Sequence, residues 1–92
     1  MQFLASIRLD LTHRSVVERA IPAETARVRE LMQSGQMHAL YVPEGSGAPE
    51  SLWGVFNANS REGVESVLQS LPLYPYMRIE LTQLRSLESA RL

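Results

Sequence analysis

An α+β fold, with four antiparallel strands and two helices in the order β-α-β-β-α-β, is what this sequence predicts, and three observations carry the prediction. The first residues alternate apolar and polar with a period of two, two later segments repeat their apolar residues at helical spacing, and the remaining apolar runs are short and bounded by Gly, Pro, Ser and Asn.

The elements follow in order. Phe3, Ala5, Ile7, Leu9 and Leu11 alternate with Gln2, Ser6, Arg8 and Asp10, which places a first strand at about residues 2–11. From Ser15 the period changes. Ser15-Val-Val-Glu18 fits a capping box, and Val17, Ile21, Val28, Leu31 and Met32 fall within one helical stripe. Pro22 allows two solutions: a kinked helix over residues 15–34, or a short turn before a helix whose first position is Pro22. Gly35 suits the position just past its end. "MHALYV" (37–42) reads as a short strand, "PEGSGAPES" (43–51) as a flexible loop and "LWGVFN" (52–57) as the next strand, together a hairpin. Ser60 caps a second helix with Val64, Val67, Leu68 and Leu71 on its apolar face. Arg78 to Thr82 alternates again as the last strand, and a polar tail over residues 85–92 should fray.

This order is the ferredoxin-like, split βαβ arrangement, with both helices on one face of the sheet. The opposite face keeps Leu, Val and aromatic residues and should find a partner. Two such sheets packed face to face make a dimeric α+β barrel, so a homodimer or larger homo-oligomer is expected.

Ninety-two residues make one domain, 1–92, with its core at about 2–84. Nine arginines and ten acidic residues are spread along the chain for a net charge of -1, with no basic stripe for a phosphate backbone, so nucleic acid is not an expected partner. No apolar run approaches the ~18 residues of a membrane span, and the N-terminus lacks the pattern of a signal peptide. A soluble, cytoplasmic protein without a membrane partner is the expectation. Cysteine is absent, His13 and His38 lie far apart, and the glycines of "EGSGAPE" have no phosphate-loop spacing. Neither a metal nor a cofactor is expected.

Glu24 is the most informative residue. Helical geometry sets it between Ile21, Val28 and Leu31, on the face the first helix should bury. Desolvation there raises a carboxyl pKa toward the range of a general acid or base; the structural alternative is a dipole-stabilised or arginine-paired glutamate, with Arg8 or Arg27 as partner. His38 is a second catalytic candidate, on the same strand face as Leu40 and Val42 and opposite Tyr41. Tyr41, Trp53, Tyr74 and Tyr76 have apolar bodies and polar tips suited to a flat small molecule, and equally to an ordinary core. Arg8 and Asp10 share the strand face opposite Phe3 and Ile7, where they suit an interface ion pair.

"LPLYPYM" (71–77) is too apolar for an ordinary connector. It should roof a cavity or pack on another subunit. The longer block "LQSLPLYPYMRIEL" (68–81) closely resembles the C-terminal signature of muconolactone delta-isomerases, and Glu24, Gly35, Leu40-Tyr41 and "GVFNANS" (54–60) extend the similarity over about residues 2–84. The resemblance implies a dimeric α+β barrel in larger rings, and cofactor-independent isomerisation, or a related cyclisation, of a small unsaturated lactone or carbonyl compound. It further implies Glu24 as the proton shuttle and Tyr41 or Tyr76 as enolate donor; His38 stands beside them as a catalytic candidate, and Arg27, Trp53, Tyr74, Tyr76 and Met77 are the candidate substrate-binding residues. Several positions depart from the family: Val42 stands where an arginine is usual, Glu65 where a histidine is common, the hairpin loop is longer, and lysine is absent. The departures point to a less acidic substrate than muconolactone, or to loss of catalysis. Two other readings are a cofactor-free monooxygenase of the same barrel group, with a phenol held among Tyr41, Trp53 and Tyr74, and a non-catalytic ligand-binding or assembly protein.

Overall fold

The computed structural model describes residues 1–45 and 47–87. Its elements run β1 (Gln2–Leu9), α1 (Arg14–Gln33), β2 (Met37–Tyr41), β3 (Ser51–Asn57), α2 (Arg61–Gln69), a 3₁₀ turn (Tyr74–Tyr76) and β4 (Met77–Leu84). The strands lie in the order β2-β3-β1-β4, every neighbouring pair antiparallel, as the ferredoxin-like reading requires.

Alternation in β1 sets the two sheet faces. Phe3, Ala5, Ile7 and Leu9 are buried under the helices, opposite Phe56, Gly54 and Leu52 on one side and Leu81, Ile79 and Met77 on the other. Val17 and Leu31 of α1 and Val64 and Leu68 of α2 close this core from above. The fully buried Phe3 and Phe56 are cross-strand partners in it. Gly54 is where the packing is tightest. A Cβ there would lie 2.7 Å from Cε2 of Phe56, whose ring covers the space a side chain would fill.

The structure corrects several local expectations. β1 stops at Leu9, because the Asp10 carboxylate accepts from both the backbone N–H (2.9 Å) and the hydroxyl (2.6 Å) of Thr12, a turn that leads directly into α1. The same bonds hold the Asp10 carboxyl below its usual range, and Asp10 makes no ion pair with Arg8, which instead sits opposite Arg78 and Ser51. The helix therefore begins before Ser15, with His13 at the N-cap and no capping box. Pro22 lies inside one continuous helix, at a solvent-exposed position where water can replace the missing donor. Met32 is exposed. Gly35, with φ +81°, takes the left-handed conformation expected after a helix. Ser60 caps α2 as its type suggests, its Oγ accepting from Gly63 N–H at 3.1 Å.

In β2 the register shifts between Met37 and Ala39: Met37 opposes Phe56 and Ala39 opposes Val55, so His38 is the extra residue of a bulge. The bulge brings Met37 and Leu40 to the helix face and Ala39 and Tyr41 to the open face. No helix among the described residues is long and apolar enough to cross a membrane. Of the tail expected to fray, residues 88–92 lie outside the described residues.

Gly54→Ala should lower the unfolding free energy by about 1–3 kcal/mol, because the Phe56 ring must leave its place. Ser60→Ala should cost about 1 kcal/mol through loss of the cap. Denaturant unfolding of both variants checks the two values.

Candidate active site

Val17, Glu24 and Leu31 follow one another at seven-residue spacing on α1, which brings all three to nearly the same side of the helix. The outer two are completely buried, and the middle one is a half-buried carboxylate. Its one hydrogen bond comes from the backbone of the α2–β4 connection: Leu73 N–H donates to Glu24 Oε1 at 2.9 Å. Loss of water raises the Glu24 pKa, and the Leu73 N–H opposes part of that rise.

Glu24 stands at a cavity of about 270 Å³ between α1 and one end of the sheet. Leu9, Leu52, Leu40 and Met77 form its floor, Val17, Ile21, Thr25 and Val28 the α1 wall, Gly47, Ala48 and Pro49 the hairpin-loop wall, and Leu73 and Val42 complete the lining. Among the described residues, Glu24 is its only ionisable side chain and Thr25 its only hydroxyl. The ion pairs Arg14–Glu18 (4.0 Å), Arg27–Glu30 (3.1 Å) and Arg61–Glu65 (3.6 Å) all lie elsewhere, on solvated helix surfaces. The arrangement is a proton acceptor in an apolar enclosure, held by one backbone donor, with no cation against it among the described residues. These residues also contain no cluster of three or more His, Asp or Glu able to hold a metal ion.

Of the residues singled out from the sequence, the fold brings Glu24 and Met77 together at this cavity. Arg27 turns away, to Ser70 Oγ (3.1 Å) and Glu30 (3.1 Å), and does not pair with Glu24. His38 is exposed at the bulge, outside the cavity. Tyr41 and Trp53 oppose each other on the far face of the sheet, 61% and 38% exposed, so the sheet separates them from Glu24 within one chain. Tyr74 lines a separate depression beside β4 with Arg61 and Glu65, and Tyr76 packs against the core outside the cavity, its carbonyl accepting from Asp10 N–H at 2.8 Å. The sequence reading missed Thr25, the Leu73 N–H and the loop wall. Thr25 follows Glu24 directly, so the placement of Glu24 offered a signal for it, whereas the Gly- and Pro-rich loop read as solvated and a backbone donor has no residue signature.

The sequence profile of a family described as muconolactone delta-isomerase matches residues 1–90. A muconolactone delta-isomerase of Acinetobacter baylyi is 36% identical over 61 residues, 66% of this chain and 60% of that relative, so the alignment spans less than two thirds of its length. One of Cupriavidus pinatubonensis is 32% identical over 87 residues, 91% of each chain. Among solved structures, a muconolactone isomerase superposes with a TM-score of 0.73 at 25% identity, over 98% of this chain and 94% of that one. A 5-chloro-2-hydroxyhydroquinone dehydrochlorinase of Burkholderia phenoliruptrix, solved with 2,5-dihydroxybenzoquinone, superposes equally well, at 0.73 over 92% and 94% of the two chains. Its 15% identity makes this a likeness of fold.

The raised Glu24 pKa has a consequence for stability. The folded chain holds the Glu24 proton to higher pH than the unfolded chain does, so stability contributed by protonated Glu24 is fully present below the unfolded value and is lost as pH rises through the folded one. Glu24→Gln keeps an acceptor for Leu73 N–H and cannot ionise. It should melt higher than the wild type near about pH 8, with the difference shrinking toward about pH 4. Thermal unfolding across pH reads this directly, and a wild type at least as stable at the alkaline end would contradict the desolvation.

Proposed function

The chain belongs to the muconolactone delta-isomerase family, and from that premise we propose that it is a cofactor-independent isomerase that moves a proton on a small unsaturated lactone or related carbonyl compound. The observation that carries this reading is the Glu24 carboxylate, half-buried in an apolar cavity and held by Leu73 N–H with no cation beside it among the described residues. Such a group is basic enough to take a proton from carbon and acidic enough to return it.

The chemistry balances without a further reactant. A Glu24 carboxylate oxygen takes the proton from the carbon next to the lactone carbonyl, and the C–H electron pair enters the conjugated system as the carbonyl oxygen becomes an enolate oxygen. Protonated Glu24 then returns the proton to the far carbon of that system, and the double bond shifts with no change in formula. Thr25 is the neutral side-chain donor on the cavity wall and is placed in the role of enolate donor. The apolar lining strengthens both interactions. A monooxygenase needs its aromatic side chains around one ligand, and here Tyr41 and Trp53 lie on one sheet face while Tyr74 lies beside β4 on the other.

The same reading treats residues 1–92 as one domain, acting on a diffusible small molecule in the cytoplasm and pairing through its open sheet face. Tyr41 and Trp53 form an exposed cross-strand pair there, flanked by the half-buried Ala39, Val55 and Leu4. Apolar surface of this kind is covered by a second copy in the dimeric barrel we propose.

Glu24→Gln should lower kcat by about 10²–10⁴-fold while the fold is kept, and the wild-type kcat/KM should rise with pH through the raised Glu24 pKa. The readouts are the absorbance of an unsaturated lactone and its ring-proton exchange in heavy water; undiminished turnover in the variant would remove Glu24 from the mechanism. Trp53→Glu should weaken self-association by at least about 30-fold, as expected for a central aromatic contact. Sedimentation or light scattering on the two proteins checks it, and a monomeric wild type would refute the dimer.

A further inference from the structure

Resting on the proton-transfer reading above, we infer that the substrate of this cavity is uncharged: a monocyclic lactone or enone without a carboxylate. The argument starts from where the chain keeps its positive charge. The sequence contains no lysine, and none of the described arginines or histidines lines the cavity. Arg14, Arg27 and Arg61 are paired with glutamates on exposed helix surfaces, Arg19 donates to the Ser15 carbonyl at 3.3 Å, and Arg8 and Arg78 oppose each other on the far face of the sheet.

Charge conservation in the cavity then decides the class of ligand. With an uncharged substrate the enclosure holds one negative charge throughout: on Glu24 before proton transfer, on the enolate oxygen after it. With a carboxylated substrate it holds two at every stage, in an apolar lining where like charges are screened least. Among the described residues no cation meets the second charge, and protonation of Glu24, which would relieve it, consumes the base. An anionic ligand and a working Glu24 therefore disfavour each other here.

The cavity also sets the size. A cavity of about 270 Å³ suits one small ring with short substituents. Val42 is the lining position that admits a change of charge, because its side chain touches the cavity and is still 54% exposed. An arginine there can set its head at the rim while its stem covers the apolar wall.

The test is a matched pair of ligands, a butenolide carrying an acetate side chain and its methyl ester, titrated calorimetrically into wild type, Glu24→Gln and Val42→Arg, with ring-proton exchange followed by NMR in heavy water. The ester should bind the wild type at least about tenfold more tightly than the acid. The preference should shrink in Glu24→Gln, which removes the charge that repels the acid, and shrink or reverse in Val42→Arg. Acid binding to the wild type as tightly as ester, or no binding of either at millimolar concentration, overturns the inference. Exchange separates the two claims: ester preference without any exchange keeps the uncharged ligand class and removes the isomerase, whereas exchange with the acid bound as tightly as the ester keeps the isomerase and removes the ligand class.

Discussion

A single hydrogen bond, from Leu73 N–H to the Glu24 carboxylate, is the constraint around which this molecule is organised. A carboxylate in the middle of a buried helical stripe has to be given a partner or remain in contact with water. Here it receives half of each. One oxygen takes the backbone donor, and the group as a whole stays half-exposed at the cavity between α1 and the sheet. The bond also explains the apolar connector between α2 and β4. Leu71 and Leu73 are buried and pin the turn to the core, and the 3₁₀ turn that follows aims Met77 into β4. A solvated loop of Gly, Asn and Ser would not hold the Leu73 N–H at a fixed distance from α1.

The two faces of the sheet divide the remaining work. On the helix side, Gly54 lets the Phe56 ring lie flat against the sheet, and the bulge in β2 turns Leu40 toward the cavity. On the other side, the same bulge leaves Tyr41 opposite Trp53 as exposed aromatic surface. The extra residue of the bulge is His38. Its own side chain takes part in neither the core nor the cavity.

Family membership and the chemistry of the cavity bear on different questions. Residues 1–90 match the muconolactone delta-isomerase profile, and the fold superposes on a solved muconolactone isomerase with a TM-score of 0.73. Those matches speak to descent and architecture. Which ligand the cavity accepts depends on a lining that, among the described residues, is apolar apart from Glu24 and Thr25. In a small enclosure a single cation, or its absence, changes the balance between an anionic and a neutral ligand more than the remaining lining does.

Much of this was legible in the sequence. The Ser60 cap and Gly35 are local signals that held because nearest neighbours determine them, while the period-two alternation held as far as Leu9 and the apolar stripe of α1 held except at Met32. Glu24 was legible for the same reason, since helical spacing alone puts it on the buried side, and the LPLYPYM block carried the family resemblance. What the tertiary structure decided is every relation that crosses elements. The start of α1 moved because Asp10 reached Thr12. Met37 and Leu40 share the helix face through a bulge at His38, which period-two counting cannot foresee because it is created by pairing with β3. Arg27 was within reach of Glu24 by helical spacing, yet it turned to Ser70, a contact across 43 residues. The donor that holds Glu24 is a backbone N–H 49 residues away. Residue types along one chain determine which side chain is apolar or acidic; only packing determines which of them share a cavity.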